Sequence, residues 1–114
     1  MAIVVKVYGN ISPADQSLRL VLAEALQTAI ADPISQDIET LVLIGDLLTI
    51  SFEGVYFPED EVVAVLQAHC TPKQTGKLDV LDIDAWRIRR YQIQDGHLHL
   101  RQASLNQVLD YSGF

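Results

Sequence analysis

Arg87-Ile88-Arg89-Arg90-Tyr91-Gln92-Ile93-Gln94-Asp95-Gly96-His97-Leu98-His99-Leu100-Arg101-Gln102 is the stretch that decides the fold. Asp-Gly between two runs rich in β-formers is a strong two-residue hairpin signal, because both turn positions need positive φ. Pairing across such a turn sets Ile93 opposite Leu98 and Tyr91 opposite Leu100 on one face. It sets Arg90 opposite Arg101, and Gln92 opposite His99, on the other.

Working back from the hairpin, Leu78, Val80, Leu81 and Ile83 are apolar with an alternation that slips between Val80 and Leu81. A β-bulge accounts for the slip, and the strand is expected to run on through Trp86 and Ile88 to Ile93. Further back, Leu41-Val42-Leu43-Ile44, Gly45-Asp46 and Leu47–Phe52 form a second hairpin, with Leu43 opposite Leu48 and Leu41 opposite Ile50. Gly45 at the first turn position suits a type II′ turn. The unbroken apolar run of Leu41–Ile44 predicts burial on both faces, hence a central strand.

Two helices separate these strands. Ser12 as cap, Pro13 at the first helical position and Asp15 three residues on predict a helix to about Ala31, ending before Pro33. Its stripe is Leu18, Val21, Leu22, Ala25, Leu26, Ala29 and Ile30. Pro58 opens a second helix, and Glu59, Asp60 and Glu61 carry the charge its dipole favours. Val62, Val65, Leu66 and His69 share its stripe, and Pro72 marks its end. Ile3–Tyr8 is the first strand. Ser104-Leu105-Asn106-Gln107 is a capping box that opens a final short helix through Tyr111. The expected fold is α+β: a single mixed or antiparallel sheet of about five strands in the order β-α-β-β-α-β-β-α, helices mainly on one face. Residues 1–114 read as one domain.

The chain has 114 residues, is 49% apolar and carries a net charge of −7. Residues 1–57 hold −5, residues 58–86 hold −4, and residues 87–114 hold +2. One basic hairpin thus sits on an acidic molecule. An overall negative field opposes nucleic acid and anionic membranes. No apolar run approaches the ~20 residues that span a bilayer. No N-terminal signal pattern is visible, and the lone Cys70 fits a reducing compartment. The expectation is a cytoplasmic protein.

Arg87, Arg89, Arg90 and Arg101, joined by Tyr111 and Phe114, are the candidate partner-binding residues. Arg with aromatic side chains is the composition of interface hot spots. The plainer reading is that the arginines reach Asp82 or Asp84, and that Trp86 and Tyr91 fill the core. His97 and His99 share a strand face and could ligate a metal, but the neighbouring cations disfavour one. Asp79, Asp82 and Asp84 lack the glycine-turned loop of a calcium site. His69 suits a helix C-terminus, and adjacent helix positions keep Cys70 from acting with it. No phosphate loop, dinucleotide fingerprint, nucleophile elbow or zinc-protease motif occurs, so no cofactor and no catalytic residue is assigned.

Val5-Lys6-Val7-Tyr8-Gly9 with Ser12-Pro13-Ala14-Asp15, Ser51–Pro58, and Ser104–Gly113 resemble small α+β proteins of cyanobacterial genomes. The chain is similar to the CcmS-type carboxysome assembly factors, small adaptors that bind the tail of a shell protein. That resemblance implies a non-catalytic interaction role and assigns no individual residue. The leading expectation is therefore an adaptor that meets a protein or acidic peptide through the basic hairpin and the aromatic C-terminal segment. The alternatives are a ligand or metal sensor, or small enzyme, built around His97 and His99, and a homodimer closed by the first helix.

Overall fold

Asp95 and Gly96 both take positive φ, 56° and 79°, the signature of a type I′ turn. The strands they join pair as expected: Ile93 with Leu98, Tyr91 with Leu100, Arg90 with Arg101 and Gln92 with His99. At the second hairpin Gly45 takes φ 62°, and Leu43 pairs with Leu48 and Leu41 with Ile50.

The structure is a computed structural model that describes residues 4–26 and 40–106. Its elements are β1 (Val5–Ser12), α1 (Gln16–Ala25), β2 (Leu41–Ile44), β3 (Leu47–Gly54), α2 (Glu59–His69), β4 (Thr75–Asp82), β5 (Arg87–Gln94) and β6 (His97–Ser104). The six strands form one antiparallel sheet in the order β2-β3-β1-β4-β5-β6. β1 and β2 therefore point the same way with β3 between them, and α1 lies in the connection that crosses it.

Four expectations are corrected here. The sheet has six strands because residues 83–86 form a turn where a continuous strand was expected. The β1–β4 register runs unbroken from Val5–Asp82 to Ser12–Thr75, so no bulge separates Val80 from Leu81. The apolar slip instead reflects burial on two faces. Leu78 and Val80 enter the main core, whereas Leu81 and Ile83 pack with Ile88, Ala103 and Leu105 in a second cluster. β2 is an edge strand, not a central one; only Leu41 is buried, and Ile44 is 74% exposed. Finally, β1 extends through Ser12, and the cap of α1 is Asp15, whose Oδ1 accepts from the Leu18 N–H at 3.0 Å.

Both helices cover one face. Leu18, Leu22 and Leu26 from α1 and its end, and Val62 and Leu66 from α2, meet Val7, Ile11, Leu48, Ile50, Leu78, Val80 and Ile93 of the sheet. Each such side chain contributes about 1.5–3 kcal/mol when fully buried. Val65 is partly buried on that stripe and His69 is exposed. Trp86 is also a correction: it takes φ 54° in the β4–β5 turn and is 43% exposed, not core. Its indole donates to Asn106 Oδ1 at 2.8 Å. Ser104 closes β6, and its Oγ accepts from the Asn106 N–H at 3.1 Å. Leu105 and Asn106 are helical, where the final helix was expected to open; the rest of that helix lies outside the described residues, as do Ala29 and Ile30.

Candidate functional site

The β5–β6 hairpin places its arginines on opposite sides of the sheet. Alternation along β5 sends Arg87 and Arg89 to the helix-covered face with Tyr91 and Ile93. It sends Arg90 to the other face with Gln92, where Arg101 and His99 join it from β6. The four arginines thus do not form one basic patch.

Arg89 is bound within the molecule. Its Nε and Nη2 donate to Glu59 Oε2 and Oε1 at 2.9 and 2.8 Å, and Nη1 reaches Asp82 Oδ2 at 3.5 Å. Tyr91 also donates its hydroxyl to Glu59 Oε2. The Glu59 bond holds the Arg89 guanidinium more firmly protonated than usual, against the opposing cost of burial. Burial, and then the same carboxylate, pushes the Tyr91 hydroxyl well above the ordinary tyrosine value. From the sequence, Glu59 reads mostly as helix-start charge and second, with Glu53, Asp60 and Glu61, as an acidic docking surface for a basic partner. Hairpin parity already placed Arg89 beside Tyr91 on the core face, where a half-buried guanidinium requires an acid.

On the opposite face, Arg90 grips Asp79 by Nε to Oδ1 at 2.7 Å and Nη2 to Oδ2 at 2.9 Å. Lys77 stands 3.9 Å from the same carboxylate. Asp79 is 8% exposed, so this pair is a structural clamp between β4 and β5. The expected partners of these arginines were Asp82 or Asp84. Asp82 does serve Arg89, but the main carboxylates are Glu59 and Asp79. Tyr8, from β1, donates to Glu53 Oε1 at 2.8 Å on this face, and Lys6 lies 3.8 Å from the same oxygen.

Arg87 and Arg101 are exposed, as are His97 and His99. Tyr111 and Phe114 lie outside the described residues. Among the described residues no group of three His, Cys, Asp or Glu side chains converges as a metal site. Asp79 and Asp82 do face opposite sides, as their spacing of three along a strand requires. No helix among the described residues is long and apolar enough to cross a membrane.

What the hairpin does present is an edge. Among the described residues β6 pairs with β5 alone. In a two-residue hairpin the pair that closes the turn exchanges both backbone bonds, and such pairs then alternate. His97, His99, Arg101 and Ala103 therefore turn their N–H and C=O groups toward β5. The Leu105 N–H continues that parity, bonding Trp86 O at 3.0 Å. Leu98, Leu100 and Gln102 turn theirs outward. Gln67 Oε1 of α2 accepts from the Leu98 N–H at 3.3 Å, and Cys70 Sγ donates to Gly96 O at 3.0 Å. These two contacts anchor the turn end of β6 to α2, and the Leu100–Gln102 segment forms the outer edge beyond them. Leu100 is 48% exposed.

Comparisons with known protein families, with characterised proteins and with solved structures return no match.

Proposed function

We propose that this protein is a non-catalytic adaptor that binds an extended segment of a partner by adding it as a strand beside β6. The observation that carries this reading is the outward backbone of Leu100 and Gln102 on an eight-residue edge strand. Strand addition draws its affinity from main-chain hydrogen bonds and its specificity from alternate side chains. Here Arg101 and His99 stand on one face of that edge, and Leu100 and Gln102 on the other. A partner segment that alternates acidic and apolar residues complements both. The resemblance to carboxysome assembly factors supports the same class of role and suggests the extended tail of a shell protein as a first partner to try.

The test is selection of displayed peptides against the protein, followed by affinity measurements on edge variants. Gln102→Pro removes one outward donor and leaves the inward ladder intact, so it tests the edge and not the fold. Binding of the selected acidic–apolar peptides should be lost in Gln102→Pro. In Arg101→Ala it should be weaker and less sensitive to salt. Peptides that bind both variants as tightly as the parent protein exclude the reading.

A further inference from the structure

At the end of the sheet away from the Asp95-Gly96 turn, three chain segments border an open cavity of about 250 Å3. Val4 and Val5 line it from the start of β1, Val55, Tyr56 and Phe57 from the β3–α2 connection, and Asp82 and Asp84 from the end of β4 and the turn that follows. Glu59 and Arg89 supply its remaining polar wall. The volume falls below the ~300–1,000 Å3 of sites for drug-sized ligands and cofactors. An occupant of this cavity has the size of one side chain.

The charges decide its sign. Among the described residues Arg89 is the single cation in the lining, and Glu59 already takes two of its donors at 2.8 and 2.9 Å. Its Nη1 reaches Asp82 at 3.5 Å, and with Glu59, Asp82 and Asp84 against Arg89 the lining carries a surplus of two negative charges. The N-terminus of α2 adds partial positive charge, but Glu59, Asp60 and Glu61 sit in its first turn and offset it. An anion is repelled here and a cation attracted.

The walls decide its shape. Phe57 is buried and packs against Phe52 with ring centroids 5.4 Å apart, which fixes the inner side. Val55 and Tyr56 are 48% and 56% exposed, at the open side. Exposed apolar and aromatic surface next to carboxylates suits an alkyl stem ending in a planar cation, which can lie on a tyrosine ring and meet a carboxylate edge-on.

We propose that this cavity is a recognition pocket for an arginine side chain of a partner polypeptide. It is separate from the β6 edge and opposite to it in charge preference. The protein thus offers an acid-seeking edge and an arginine-seeking pocket.

The test titrates the full 15N-labelled chain with acetyl-Ala-Arg-Ala-amide at low ionic strength, following backbone amide shifts. The controls are the same tripeptide with citrulline, which keeps the shape and removes the charge, and with glutamate. The arginine peptide should give saturable shifts at the amides of Val4, Val55, Tyr56, Phe57 and Asp82–Asp84. Asp84 is exposed in a turn, so Asp84→Asn keeps the fold. It should weaken binding by about three-fold, the scale of one exposed charge pair. Tyr56→Ser should weaken it comparably. Equal shifts from citrulline or glutamate, shifts centred on other acidic residues, or no shifts at peptide saturation would each overturn the proposal.

Discussion

Glu59, the first residue of α2, accepts two hydrogen bonds from Arg89, thirty residues along the chain on β5. The pair joins the helix layer to the sheet at the start of the hairpin that carries the proposed edge. Both side chains are mostly buried, at 25% and 18% exposure. Removing one partner leaves the other charge poorly solvated, which costs more than the pair contributes. Arg89→Ala should lower stability by about 2 kcal/mol, a value discounted for partial exposure. Glu59→Gln, which keeps an acceptor for Tyr91, should cost about 1 kcal/mol. Urea unfolding of both single variants and the double variant checks this. The double variant should lose less than the two single losses added together, and simple additivity would show that the two residues are not coupled.

Tyr91 makes the same cluster sensitive to alkali. Burial and Glu59 raise its hydroxyl pKa in the folded protein above the ordinary value of 10.0. Below that value the group is protonated in both states, and it adds no pH dependence. Above it the unfolded chain releases the proton first, so the folded state loses relative stability as pH rises. Urea midpoints between about pH 8 and 11 should fall more steeply for the parent than for Tyr91→Phe. Tyr8 is shifted in the same direction by burial and Glu53. A Tyr91→Phe curve parallel to the parent's would assign the alkaline loss to other groups.

Much of this arrangement is legible in the sequence, and the residues that are not have physical reasons. Gly45-Asp46 and Asp95-Gly96 announce their turns because glycine supplies positive φ, and both hairpin registers follow from them. The β4–β5 turn has no such marker: Trp86 takes the left-handed conformation without being glycine, so residues 78–93 read as one strand. The edge position of β2 is equally hidden. An apolar tetrapeptide records that its strand is greasy, but its place depends on the crossover that sets β3 between it and β1. The arginines read as one patch because they are close in sequence. Strand alternation, already implied by the Asp-Gly turn, is what divides them.

That division makes Arg90 and Arg101 unequal. Arg90 holds the buried Asp79 by two hydrogen bonds, and Lys77 lies 3.9 Å from the same carboxylate. Arg90→Ala should therefore cost about 2 kcal/mol in urea unfolding. A loss of partner binding in Arg90→Ala then reports on folding, and the same loss in Arg101→Ala is assigned to the edge only when its own urea curve matches the parent's. An Arg90→Ala variant as stable as the parent would contradict the clamp assigned to Arg90.

The sharpest test of the sheet order is Gly76. It pairs with Ile11 of β1 on one side and Ile93 of β5 on the other, with φ 155°. A Cβ built there would lie 2.0 Å from Asn10 O and 2.9 Å from Ile11 Cα, both backbone atoms that cannot move without opening the β1–β4 ladder. Gly76→Ala should therefore destabilise by more than about 3 kcal/mol or abolish soluble expression. Gly96→Ala is the matched control. It also carries positive φ, but its Cβ finds its nearest neighbour at 3.6 Å, so only the backbone term of about 1–2 kcal/mol applies. If both alanine variants unfold at similar urea concentrations, the close approach of β1 and β4 is wrong, and with it the central position of β1 on which the order of all six strands depends.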